Sequence, residues 1–198
     1  MNLDDFKMVF VGVFLVLVLV AASPTLSMMI SLPAGERFTE LWILGPGHMA
    51  EGYPFNARAD VSYSVFLGVG NHMGGLEYYL AYVKFRNQTE SLPNATMSTP
   101  SLVPSLYEYR TFLSEGEAWE KNVTFSFSGV SVAGNVCRVS YLSVGGCGFF
   151  VDRFVAYNST YNGYYFELFF ELWRFDVGVS EFRYHNRFVG IRLNMTSS

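Results

Sequence analysis

The chain has 198 residues, enough for one ordinary domain and a short accessory segment. Charged residues make up only 15% against a usual figure of about 25%, aromatics reach 18%, and the formal net charge is -4. With no cluster of Lys and Arg, this composition excludes the basic footprint that nucleic-acid binding requires.

Residues 8–22, MVFVGVFLVLVLVAA, carry no charge, and apolar character continues through LSMMISL to Leu32. A spanning helix needs about 20 residues. The pattern therefore predicts a membrane span over Met8–Ile30, within a helical segment 8–31 behind a short cytoplasmic tail, 1–7. The competing reading is a cleaved signal peptide with Val20 and Ala22 just before the cut. The acidic start, MNLDDFK, and the apolar residues beyond Ala22 favour a retained anchor.

Lys7 against Asp4 and Asp5 gives no orientation signal. The glycosylation acceptors do. N-x-T occurs at Asn87, Asn94, Asn122, Asn158 and Asn194, whereas 11 Asn and 9 Thr would give about half a site by chance. All five lie C-terminal to the apolar run. Residues 32–198 are thus expected to face outward from a plasma membrane and to carry N-glycans.

The outer part alternates with a period of two, the mark of half-buried strands. Arg37 to Leu44 reads as a strand ending in a Gly/Pro turn. DVSYSVFLGVGN places Val61, Tyr63, Val65, Leu67 and Val69 on one face, and LEYYLAYVKFRN beyond the NHMGG turn reads as its hairpin partner. Gln88 to Pro104 is polar, holds two sequons and reads as a long exposed loop.

LYEYRTFL and AWEKNVTFSF flank SEGE as a second hairpin. In the latter strand Trp119, Val123, Phe125 and Phe127 share one face, so Asn122 points the other way, to solvent. Cys137 and Cys147, the only cysteines, fall in CRVSYLSVGGCG. In an oxidising compartment a disulfide closing this hairpin is expected, in preference to a metal site. FFVDRFVAY and YYFELFFELWRFD join around Asn162-Gly163, a hairpin turn signal, and EFRYHNRFVGIRLNMT follows.

About nine strands in an antiparallel meander predict an all-β, immunoglobulin-like sandwich behind one N-terminal transmembrane helix. GERFTELWILGPGHMAEGYPFN, GVGNHMG, LSEGEAWEKNVTFSF and YHNRFVGIRLNMT together resemble the archaeal membrane-protein family of domain of unknown function 1616, over most of Gly35 to Thr196. The resemblance implies an archaeal source and a sandwich outside the membrane. It supplies no known activity and no catalytic residues. Members often carry several membrane helices where this chain has one, and Gln88–Pro104 and Ser128–Val155 read as insertions.

No catalytic constellation emerges from the residues. Glu167 and Glu171, four apart on a strand, would stand about 13 Å apart, beyond the roughly 5–9.5 Å of paired glycosidase carboxylates. His48, His72 and His185 fall in turns or at a strand start, and no G-x-S-x-G nucleophile motif occurs. YYFELFFELWRF, however, is apolar on both faces, where a sandwich strand normally buries one. Its second face calls for cover by another segment of this chain, another subunit, or sugar rings.

The expectation is a non-enzymatic, single-pass accessory or scaffolding subunit of a larger membrane complex, with no cofactor or metal. Its partners are lipid along Met8–Ile30 and other membrane proteins. A stand-alone surface glycoprotein or carbohydrate-binding module is the alternative.

Overall fold

The computed structural model describes residues 6, 7, 9–18, 20 and 36–196. The chain divides into two compact units, Met1–Arg37 and Phe38–Ser198. In the first, the described residues between 6 and 20 are helical, and every one of their side chains is exposed. No helix of the described residues is long and apolar enough to cross a membrane. Part of the expected span, Met8 and residues 21–30 among it, lies outside the described residues.

The second unit is a sandwich of two five-stranded sheets. Its strands are β1 (Phe38–Leu44), β2 (Asn56–Arg58), β3 (Ser62–His72), β4 (Glu77–Arg86), β5 (Ser105–Leu113), β6 (Ala118–Ala133), β7 (Val136–Val144), β8 (Cys147–Ala156), β9 (Tyr165–Asp176) and β10 (Glu181–Thr196). Sheet I has the order β1-β3-β6-β7-β8 and sheet II the order β2-β10-β9-β4-β5. Pairing is antiparallel except between β2 and β10. Alternation drives the assembly: Val65, Leu67, Val123, Phe125, Phe127 and Leu142 from sheet I meet Val83, Phe85, Phe166, Leu168, Phe170 and Leu193 from sheet II in one core.

The topology corrects the expected meander. β3 and β4, β5 and β6, and β8 and β9 lie in different sheets, so NHMGG, SEGE and the Asn162-Gly163 loop carry the chain across the sandwich. The hairpins proper are β4–β5, β6–β7, β7–β8 and β9–β10. Ser128–Val155 is no appended insertion either, because it supplies the end of β6, all of β7 and most of β8 in sheet I.

The expected Cys137–Cys147 disulfide is also corrected, for both thiols are free. The turn of this hairpin is Gly145-Gly146, both at positive φ, 58° and 85°, as a tight two-residue turn demands. Cys147 opens β8 opposite Val144, whereas Cys137 pairs with Val155 at the other end of the ladder. Seven residues of strand, about 23 Å, separate the two levels, and a disulfide needs Cα atoms within about 7 Å. Cys137 instead fills the core with no exposure.

Candidate functional site

The doubly apolar strand is β9, at the centre of sheet II. Phe166, Leu168, Phe170 and Leu172 face the core, so Tyr165, Glu167, Phe169, Glu171, Trp173 and Phe175 face outward by alternation. Yet Phe169 and Glu171 are wholly buried. Part of the cover is the chain's own Gln88–Pro104 segment, held down by a polar clamp. Lys84 Nζ lies 2.8 Å from Glu171 Oε2 and donates to the Ser101 carbonyl at 2.9 Å. The Ser101 amide donates to Glu171 Oε1 at 2.8 Å, and the Trp173 indole donates to Glu171 Oε2 at 3.2 Å. Ser101 and Val103 are buried in consequence. The segment expected to be an exposed loop is therefore partly a lid, although Met97 and Leu102 within it stay exposed.

Toward the other end of β9 the outer face carries a cluster of rings. Tyr78 stacks on Phe112, centroids 4.0 Å apart, and meets Phe182 edge-on at 4.9 Å. Phe175 meets Phe182 at 5.3 Å, and Tyr82, Trp173 and Tyr184 extend the run across the sheet. The Arg110 guanidinium lies over Phe182 at 5.4 Å and donates to the Tyr78 hydroxyl. Phe112, on edge strand β5, is 62% exposed. A large ring at that exposure, stacked on a second ring, is an anchor suited to a partner's pocket.

The sequons are distributed unevenly. Asn94 and Asn122 are exposed, while Asn87, Asn158 and Asn194 are half-buried. Asn194 is engaged structurally: its Oδ1 accepts from the Tyr164 amide and its Nδ2 donates to Asn56 Oδ1. A Cβ at Gly163 would overlap that same amide group. Asn87 and Asn158 line one cleft of about 360 Å3 with Tyr161, Tyr165, Glu167 and Arg192.

Glu167 is tied to Arg86 at 2.6 Å, so Glu167 and Glu171 occupy separate ion pairs rather than one site. The histidines are likewise apart in their bonding. His48 pairs with Glu120 at 3.0 Å and His72 lies 3.7 Å from Glu40, whereas His185 is bonded to Thr39 at 2.9 Å. Among the described residues, no group of three or more His, Cys, Asp or Glu could hold a metal ion.

Sequence reasoning missed a buried polar hub between the sheets. Asn71 Nδ2 donates to the carbonyls of Gly75 and Leu113, each at 2.7 Å, and its Oδ1 accepts from the Tyr79 hydroxyl at 3.0 Å. Thr39 Oγ1 lies 3.1 Å from the Tyr79 hydroxyl and 2.9 Å from His185 Nε2. His185 stands in a bulge of β10 between Tyr184 and Arg187. Burial, helped by the charges of Arg174 and Arg187, lowers its pKa to about 4, so the ring is neutral in the hub. Thr39, Asn71, Leu113 and His185 come one from each of the four stretches that carry the family resemblance. The signal was legible as polar residues (Thr39, Asn71) on otherwise apolar faces.

These features define an all-β sandwich with a buried polar hub at one end and an aromatic strip on one outer face. The profile of the family described as Domain of unknown function (DUF1616) matches residues 32–143, more than half of the chain. The chain belongs to that family. The match runs through Gln88–Pro104 and into β7, and the closing YHNRFVGIRLNMT lies beyond it. No curated protein matches the chain.

Proposed function

We propose that the chain is a non-enzymatic, single-pass accessory or scaffolding subunit of a larger archaeal membrane complex. In this reading residues 8–31 form the anchor, residues 1–7 lie in the cytoplasm, and a glycosylated, immunoglobulin-like sandwich faces outward. The observation that carries the reading is the strip of Tyr78, Phe112, Phe175 and Phe182, which lies apart from the lid clamped on Glu171 and ends in the exposed Phe112 ring. Contiguous apolar patches on soluble surfaces mark interaction sites, and a partner held in the same membrane meets this strip without an entropic search through bulk solvent.

The test is mild detergent extraction from native membranes. The expected species is much heavier than the 22.3 kDa chain with its glycans and detergent, and contains other polypeptides. Phe112→Ala combined with Tyr78→Ala releases the chain from that species while leaving its circular dichroism unchanged. Extraction as a stable monomer overturns the reading.

One observation favours a second reading, a stand-alone glycoprotein or carbohydrate-binding module. In the cleft described above, Arg192 stacks on Tyr161 and Tyr165 at 4.9 and 4.2 Å, beside Glu167 and Gln88. Rings next to polar groups suit a sugar. Asn87 and Asn158 line the same cleft, however, so a glycan on either would fill it first. A monomer that binds defined oligosaccharides supports this second reading.

A further inference from the structure

We infer that one end of the sandwich rests on the lipid bilayer, with the turns after β3 and β9 in the headgroup region. The inference rests on the anchor reading and adds a second, peripheral contact to it. β1 begins at Phe38 opposite His72, the last residue of β3. The register then places three turns at this same end. They are residues 73–76 between β3 and β4, 114–117 between β5 and β6, and 177–180 between β9 and β10. This is the proximal end, where the chain enters the sandwich.

Turn tips are ordinarily polar. Here Val177 is 82% and Leu76 68% exposed, with Val179 and Phe38 also exposed beside them. In the sequence, Phe38 stands only six positions after the end of the apolar stretch at Leu32.

The sequons give an independent observation. Asn87 follows the end of β4, Asn94 lies in the β4–β5 loop, Asn158 in the β8–β9 loop, and Asn194 at the end of β10. All four are distal. Asn122 pairs with Phe66 partway along sheet I, and the proximal end has none. Bulky glycans are thereby kept off the proximal end and its bare valine and leucine tips. Met97 and Leu102 are exposed too, but they belong to the distal loop that holds the Asn94 sequon.

Charge sets the kind of contact. The proximal turns and the strand ends beside them carry Glu115, Glu117, Asp176 and Glu181, of which Asp176 pairs with Arg183 at 3.6 Å. The contact is therefore apolar insertion rather than attraction to anionic lipid, and added salt does not release it.

The test uses the full chain carrying Cys147→Ser, so that the buried Cys137 is the only native thiol. Val177→Cys, Leu76→Cys, or the distal-turn control Asn135→Cys is labelled with an environment-sensitive fluorophore. The protein is reconstituted into phosphatidylcholine vesicles containing nitroxide-labelled lipid. Labels at 177 and 76 are expected to be quenched several-fold more than the label at 135, at low and high salt alike. Equal quenching at all three positions in vesicles that float with the protein overturns the contact and leaves the anchor standing. Protein that fails to float with the vesicles overturns both.

Discussion

Replacing Lys84 by Met removes the cation paired with Glu171, a carboxylate with no solvent exposure. Glu171 then keeps two donors, the Ser101 amide and the Trp173 indole, neither of which carries charge. Breaking a buried pair by deleting one partner costs about 3–5 kcal/mol, a large part of the roughly 5–15 kcal/mol that stabilises a domain. The double variant Lys84→Met with Glu171→Leu removes both charges and restores apolar volume, so it recovers most of that loss. It also strips the Ser101 amide and carbonyl of their partners, at about 1–3 kcal/mol for each if they stay buried. The lid is expected to lift instead. Denaturant unfolding of the full chain, followed by tryptophan fluorescence, reads the stability, and hydrogen exchange of segment 99–104 reads the lid. A Lys84→Met cost below about 1 kcal/mol, or a double variant whose segment 99–104 stays protected, would refute the clamp.

Three further outcomes are expected. The Trp42 indole lies across Gly68, where a Cβ would overlap it, so Gly68→Ala costs about 1–3 kcal/mol in the same unfolding assay; a neutral result contradicts the packing. His185 titrates at about 4 when folded, below its ordinary 6.5, so the unfolded chain binds the proton first as pH falls. Its stabilisation is complete above about pH 6.5 and lost toward pH 4, at most about 3 kcal/mol and about 1–2 kcal/mol after solvent screening. His185→Gln flattens the profile in that window, and an unchanged slope contradicts the assignment. Alkylation under native conditions modifies the exposed Cys147 quickly and Cys137 only on unfolding, since burial pushes the Cys137 thiol up to about 11; recovery of a Cys137–Cys147 peptide would contradict the strand register.

The strands and their buried faces were legible in the sequence because alternation is a local property. Val65, Leu67 and Val69 lie on the buried face read for them, as do Val123, Phe125 and Phe127. Connectivity was not. A four-residue turn between two alternating strands looks the same whether the second strand pairs with the first or crosses to the facing sheet. NHMGG and SEGE both cross. Gly145-Gly146 was the real hairpin turn, and its position beside Cys147 shows why spacing alone misled: ten residues of hairpin separate the thiols along the strands rather than bringing them together. β2 is three residues long, Asn56–Arg58, too short to show a period. Of the aromatic outer face, the doubly apolar β9 was visible, but its division into a clamped half and an open half depends on Lys84, Glu171 and Ser101, which are distant in sequence. Thr39 and Asn71 stood out as polar residues on apolar faces, but their meeting with Tyr79 and His185 was hidden for the same reason.

The measurement that bears most directly on the proposed role is photo-crosslinking in intact native membranes. A photoreactive phenylalanine analogue replaces Phe112, with Thr160 on the distal loop as the control position. The reading predicts an adduct to one defined polypeptide from position 112 and none from position 160. Crosslinks from 112 to no protein, or equally from both positions to many, would contradict it.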